Sequence, residues 1–295
     1  MRLALILLAS IAFAQTRQLA ITIDDLPRGG DHPGPRNLAS TLAMTTKLTT
    51  ALKAVPVSIY VNPGQARDYT EARLQRLLKI WQKQGAEIGN HTFSHPDLNK
   101  IPLAEYEADI LRAEPALRQA RGGTKPRYFR HPFLHAGPTE EVKQGLAAFL
   151  KEHNYEVAPV TIDNSEWIFA RVYTTSKKPQ YVREEYVKYM DGVFDFFEKR
   201  TLEVVGREIP QILLIHANQL NADAMPDLLK LFEKRGYKII PIEQALKDPA
   251  YQLKDGYTGT MGISWIHRWG VGKGMKIVYE PDEPKWLMDE FKTLR

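Results

Sequence analysis

Five short polar patterns occur in one order along the chain, each following an apolar run. They are Thr22-Ile23-Asp24-Asp25, His91-Thr92-Phe93-Ser94-His95, Arg130-His131-Pro132-Phe133, Asp163-Asn164-Ser165-Glu166-Trp167 and Leu214-Ile215-His216. Together they supply a carboxylate pair, two closely spaced imidazoles, an arginine, a further acidic residue and a distant histidine. Such an inventory can bind one divalent metal, activate a water and protonate a leaving group.

Each pattern also has a plainer reading. Asp24 and Asp25 sit where a strand ends. Two adjacent side chains of a regular strand point to opposite faces, so both converge only if the chain turns there; turn or capping chemistry is the alternative. His91 and His95 are four apart, a spacing that places both rings on one face of a helical turn and suits metal chelation. Pro96 requires that turn to be short. Two imidazoles with one carboxylate form a usual zinc set with an open position for water. Arg130 is either a surface ion pair or a bidentate clamp on a carboxylate. His216 closes an apolar run; it is a core histidine unless it faces an activated water, where it serves as general acid. Asp163 is then the group that orients its ring and raises its pKa. Leu214 shares a strand face with His216, and Trp167 offers an apolar wall. His32, His135, His153 and His267 read as surface or loop residues.

The elements that must position these groups alternate. Strand-like runs fall at 19–23, 57–61, 86–89, 127–130, 155–162, 211–216 and 237–240. Helical spacing falls at about 38–53, 71–84, 102–121, 138–152, 180–203, 224–235 and 242–247. Alternating strands and helices argue an α/β fold with a mostly parallel sheet, and the polar patterns follow strands, where (β/α) barrels carry their sites. The tail from 250 to 295 departs from the alternation. It reads as an appended aromatic and Gly-rich segment. Strand alternation would put Trp265, His267 and Trp269 on one face, either as a sugar-stacking platform or as a strap packed on the barrel.

Composition bounds the setting. Met1-Arg2, an apolar run to Phe13 and Ala12-Phe13-Ala14 form a secretory signal pattern over 1–14, so the expectation is a secreted or periplasmic protein whose catalytic domain covers 15–249. The 295 residues include no Cys, which excludes disulfides and thiolate metal sites and leaves His and carboxylate as ligands. Lys plus Arg is 40 against 35 Asp plus Glu, with the charges scattered, so no nucleic-acid footprint is present. No later stretch is apolar enough to span a bilayer. Nothing in the sequence specifies an oligomeric state.

The five patterns, in this order and at these spacings, resemble the polysaccharide deacetylases of carbohydrate esterase family four, over about 17–247. The resemblance implies a distorted (β/α) barrel that hydrolyses N- or O-acetyl groups on an acetylated glycan, of peptidoglycan or chitin type. It implies Asp24 as catalytic base and Asp25, His91 and His95 as ligands of zinc, with cobalt or manganese as alternatives. It further implies Arg130 as tether of the base, Asp163 as tuner of His216 and His216 as general acid. Phe133 would lend a backbone N–H to the oxyanion, and Trp167 and Leu214 would wall the acetyl pocket. The chain departs from the family pattern at Thr-Ile-Asp-Asp-Leu-Pro, at His131, in the loop after Pro27 and in the tail. Two other readings remain: a small-molecule amide or imide hydrolase of the same superfamily, and a non-catalytic carbohydrate-binding relative.

Overall fold

The computed structural model describes residues 16–31, 37–65 and 70–294. The expected signal peptide at 1–14 and His32 lie outside the described residues. Short apolar runs become seven strands: β1 (Arg17–Leu26), β2 (Val57–Val61), β3 (Glu87–Asn90), β4 (Tyr128–Phe129), β5 (Glu156–Val157), β6 (Gln211–His216) and β7 (Tyr237–Ile239). The described helices are α1 (Leu38–Ala51), α2 (Glu71–Gln84), α3 (Leu103–Ala120), α4 (Glu140–Glu152), α5 (Glu166–Tyr173), α6 (Pro179–Val205), α7 (Gln219–Lys234), α8 (Ile242–Ala245), α9 (Trp265–Gly272) and α10 (Lys285–Lys292). None of them is long and apolar enough to cross a membrane.

Every strand pairing is parallel, in the order β5-β4-β3-β2-β1-β6, with β7 on the first residues of β1. Helical crossovers cover such a sheet on its outer face. Leu19, Ile21 and Ile23 therefore pack outward with Met44 and Leu48 of α1, while Ala20 packs inward with Tyr60, Tyr128 and Ile212. Past β5 the chain swings across to β6: Ile162 bridges Leu213, and the Thr161 and Ile162 N–H groups both donate to the Ile212 carbonyl at 3.0 Å. That narrow seam closes the curled sheet into the distorted (β/α) barrel expected from sequence. The run at 155–162 is thus two residues of ladder and one isolated bridge, not a continuous strand.

The helices follow their local signals. α2 buries Leu74, Leu77, Leu78 and Trp81, and Gly85 ends it at φ 93°, the left-handed cap that glycine allows. α7 starts earlier than its apolar spacing suggests because the Asn218 side chain caps it, accepting from the Asn221 N–H.

The tail differs from the strand-like reading. Ser264 caps α9 by accepting from the Ile266 N–H, and the segment is helical. Trp265 and Trp269 are buried, at 7% and 1% exposure. The Trp265 N–H donates to the Val160 carbonyl at 2.7 Å and the Ser264 hydroxyl to the Thr161 carbonyl at 2.7 Å, so α9 is stitched beside the seam. The Trp rings are a strap, not a free platform. Trp269→Ala is expected to cost about 3–5 kcal/mol and lower the melting temperature by roughly 2–4 °C per kcal/mol. A thermal scan showing no change would contradict this.

Candidate metal centre and active-site cleft

The ends of β1, β3, β4 and β6 open into one cleft of about 530 Å3. The pairing of β1 with β2 slips between Ile23 and Leu26, and Asp25 takes φ 60°. The slip breaks the alternation that would separate adjacent side chains, so Asp24 and Asp25 both line the cleft. A Cβ at Gly29 would lie 2.2 Å from that of Asp25, so the returning loop needs glycine at this approach.

After β3 the chain does not make the helical turn expected over His91–His95. Thr92 and His95 have φ of 69° and 58°, and side chains hold the loop instead. Asp109 Oδ1 accepts from the Phe93 and Ser94 N–H groups at 2.9 and 2.8 Å, Thr92 Oγ1 accepts from the His95 N–H, and the Asn62 amide donates to the His91 carbonyl. The two rings still converge, with centroids 4.9 Å apart.

Asp25 Oδ1 lies 3.4 Å from His91 Nε2 and 3.2 Å from His95 Nε2. One ligand atom from each residue falls within 4.8 Å of the others, the one such cluster of three among the described residues. His91 Nδ1 is 2.8 Å from the Arg130 carbonyl. A carbonyl only accepts, so Nδ1 carries the hydrogen and Nε2 presents its lone pair. That lone pair faces a buried carboxylate oxygen with no hydrogen-bond partner. A cation between them satisfies both, so the residues fit a divalent metal. Burial would raise the Asp25 carboxyl, but His95, His91 and His216 hold it well below the usual range. Burial pushes His95 down, toward the neutral form a ligand needs.

Asp24 pairs in register with His216 across β1 and β6. Its Oδ2 lies 3.3 Å from Arg130 Nη1 and its buried Oδ1 has no partner. Arg130 is fully buried, with Nη2 donating to Thr22 Oγ1 at 2.8 Å and the guanidinium 4.6 Å from the Tyr60 ring centre. It therefore holds Asp24 through one nitrogen and anchors the other on Thr22. The bidentate grip expected from sequence is not formed.

The carboxylate that orients His216 is Glu166, not Asp163. His216 Nδ1 lies 2.8 Å from Glu166 Oε2, and the fully buried Glu166 also accepts from the amides of Asn218 and Asn221. The local cause is Asn164: its side chain donates to the Leu214 carbonyl at 2.7 Å and accepts from the Glu166 N–H at 3.0 Å. This starts α5 with Glu166 turned inward under the ring. Asp163 stays at the cleft wall, its Oδ1 accepting from the Asn164 N–H. Burial opposes charge on His216, but the hydrogen bond and charge of Glu166, then Asp25 and Asp24, raise it to about 9. Burial, then Glu280, raises Asp163 to about 7.

Residues 14–158 match the family described as polysaccharide deacetylase. The chain belongs to that family. It is 25% identical over 236 residues to a chitin deacetylase of Arthroderma benhamiae, covering 78% of this chain and 52% of that protein. It is 27% identical over 95 residues to a peptidoglycan-N-acetylglucosamine deacetylase of Bacillus cereus, covering 32% of each. It thus spans a third to a half of these relatives, 32% of one and 52% of the other. A family 4 carbohydrate esterase from Streptomyces lividans, solved with acetate, superposes with a TM-score of 0.50 at 18% identity, covering 78% of this chain and 95% of that one. A CE4 family pseudoenzyme of Bacillus anthracis superposes at 0.51 with 16% identity, covering 79% and 66%. At these identities the likeness is one of fold.

Around the metal cluster, this polysaccharide deacetylase family member places Phe133, Trp167 and Leu214 on the cleft wall. Phe133 is 51% exposed at φ 55°, with its ring edge-on to His95. Trp167 is 39% exposed and rests edge-on to Phe291. His131, the family departure, is buried and stacks on Trp265 with centroids 6.1 Å apart; burial, then Arg268, depresses it to about 3. Of the histidines read as surface or loop residues, His135 is in a loop and His267 is not. His135 lines the cleft and pairs with Asp97 at 2.8 Å, and His267 is 1% exposed.

Glu166→Gln keeps the shape under His216 and removes the charge. Stabilising imidazolium raises the pKa, so losing that support lowers it. If His216 must be protonated to act, the alkaline limb of the rate profile is expected to move to lower pH by about one unit or more. Asp163→Asn is expected to move it less. An unmoved limb in Glu166→Gln would show that His216 does not supply the proton.

Proposed function

We propose that the protein is an exported, metal-dependent deacetylase that removes acetyl groups from a glycan bearing N-acetyl sugars of the chitin or peptidoglycan type. One observation carries this reading: Asp24 and His216, neighbours in register, flank the Asp25-His91-His95 cluster in an open cleft. A base, an acid and a metal set thus share one point in space.

Asp25, His91 and His95 would hold the cation, zinc by donor type, with cobalt or manganese able to replace it. When bound, it supplies Lewis-acid polarisation of an acyl oxygen and acidifies water. Asp24, with one oxygen tied to Arg130 and the other free, takes the proton of the attacking water. The Phe133 backbone N–H is the proposed oxyanion donor. His216, held charged by Glu166, gives its proton to the departing sugar nitrogen. Trp167 and Leu214 wall the methyl side. The signal pattern at 1–14 supports export.

Acetate release from chitin oligosaccharides, peptidoglycan, acetylated xylan and a set of small imides tests the reading. Acetate from N-acetyl glycans, abolished by chelation, is the expected result. Hydrolysis of imides with no acetate from any glycan overturns it, and glycan binding without turnover would mark a non-catalytic relative.

A further inference from the structure

A second cavity of about 280 Å3 adjoins the cleft, sharing Ser165, Gly262 and Glu280 with it. Its far wall is residues 277–283 of the tail, which lie outside the family match at 14–158. The wall carries Glu280, Asp282 and Glu283, and Asp163 stands across from them in the cleft. Among the described residues, no Lys or Arg lines either cavity, although the chain has more basic than acidic side chains. Among the described residues, none of Glu280, Asp282 and Glu283 has a Lys or Arg partner, and no hydrogen bond to Glu280 is formed. Glu280, Asp282 and Glu283, gathered on one concave wall without a Lys or Arg partner, focus a negative potential there.

A second observation points to an occupant. His267 lines the same cavity at 1% exposure, and neither of its ring nitrogens has a hydrogen-bond partner. Its Nε2 lies 3.4 Å from Glu280 Oε1. The imidazole thus backs one oxygen of Glu280, a residue that lines both cavities. Tyr279, the adjacent residue, is 89% exposed at the rim, where a ring offers a flat face to a sugar. A buried imidazole left short of partners gains from a ligand that completes its surroundings.

We propose that this tail-built subsite selects glycans whose sugar next to the reacting residue carries a free, protonated amine, with Glu280 as the specificity-determining residue. The proposal rests on the deacetylase reading of the adjoining cleft. Water splits the N-acetyl amide into acetate and the sugar ammonium, so each turnover on a chain creates the group this subsite binds. Already deacetylated neighbours then draw the next turnover, and deacetylation runs in blocks. Anionic neighbours are repelled, which favours chitin-type chains over glycans with carboxylate substituents.

The test compares full-length parent and Glu280→Gln by calorimetry at pH 6 and low salt, with a glucosamine tetramer and an N-acetylglucosamine tetramer as probes. Glu280 is part-exposed and the change is isosteric, so folding is retained; Glu280→Asp keeps the charge as a second variant. The expected result is that Glu280→Gln binds the amine tetramer about fivefold or more weakly than the parent. It should bind the acetylated tetramer within about twofold of the parent. Glu280→Asp should retain most of the difference, and added salt should erase it. Equal affinity of parent and Glu280→Gln for the amine tetramer overturns the proposal, as does an equal loss for both tetramers. Binding is read without turnover, so failure to release acetate from any glycan sinks the deacetylase reading separately.

Discussion

Asp25→Asn and Asp25→Ala are expected to strip the protein of its divalent cation and, with it, essentially all acetate release. Asp25 is the single carboxylate in a cluster whose other two donors are neutral imidazoles, so its charge is what makes the site bind a cation rather than a water. Even partners that only touch ligands cost about 10–100-fold in affinity when removed, and loss of the ligand itself should exceed that. The asparagine variant is the cleaner of the two. Its backbone tolerates the left-handed φ of 60° found at this position, which alanine adopts at a cost of about 1–2 kcal/mol. Metal content measured on the purified variants decides the matter. If Asp25→Asn holds a stoichiometric metal and turns over like the parent, the cluster is not the catalytic metal site.

Asp24→Asn should behave differently. An amide cannot take the proton of the attacking water, so the rate constant is expected to fall by about 10²–10⁴-fold, while metal content stays near that of the parent. The same change leaves the fully buried Arg130 guanidinium facing a neutral amide. Breaking a buried ion pair from one side typically costs about 3–5 kcal/mol, partly offset here by Thr22 Oγ1 and the Tyr60 ring. The melting temperature should therefore drop too, and rates need measuring well below it. A variant with parental rate and lower stability would make Asp24 a structural counter-ion. A variant that loses its metal would move it into the ligand set.

The reach of the sequence follows from which interactions are local. Strand ends, their order and the polar patterns after them depend on short runs of residue types, which point to a mostly parallel α/β sheet with its site after the strands; the resemblance they carry adds the barrel and Asp25, His91 and His95 as the ligand set. The convergence of Asp24 and Asp25 was also foreseeable, because adjacent strand residues meet only where the ladder slips. Glu166 was missed for a different reason. It lies three residues past Asp163 in the same pattern, and the choice between the two carboxylates is made by Asn164 reaching the Leu214 carbonyl fifty residues away. The turn at 91–95 was misjudged because Asp109, on α3, caps its N–H groups. The tail was misread because Trp265, Ile266, His267, Arg268 and Trp269 fit a strand by alternation and a wholly buried helix equally well. Only the Ser264 cap separates the two, and a lone serine is a weak signal.

The tail's grip on the 132–134 loop bears on how this molecule breathes. Arg268 Nη2 donates to the Leu134 carbonyl at 2.7 Å, and a Cβ at Gly262 would meet the Phe133 carbonyl oxygen at 1.8 Å. Trp265 stacks on His131 in the same place. A loop with two left-handed residues, Phe133 and Leu134, has little reason to hold that shape alone. Amide exchange should therefore find the loop and α9 opening as one cooperative unit, with matched opening free energies below that of the barrel strands. Sequence change in the tail would then be felt as altered order at the mouth of the cleft. Relatives that lack such a tail would have to restrain the equivalent turn by other means, so this stretch of chain is where their loop dynamics should diverge most.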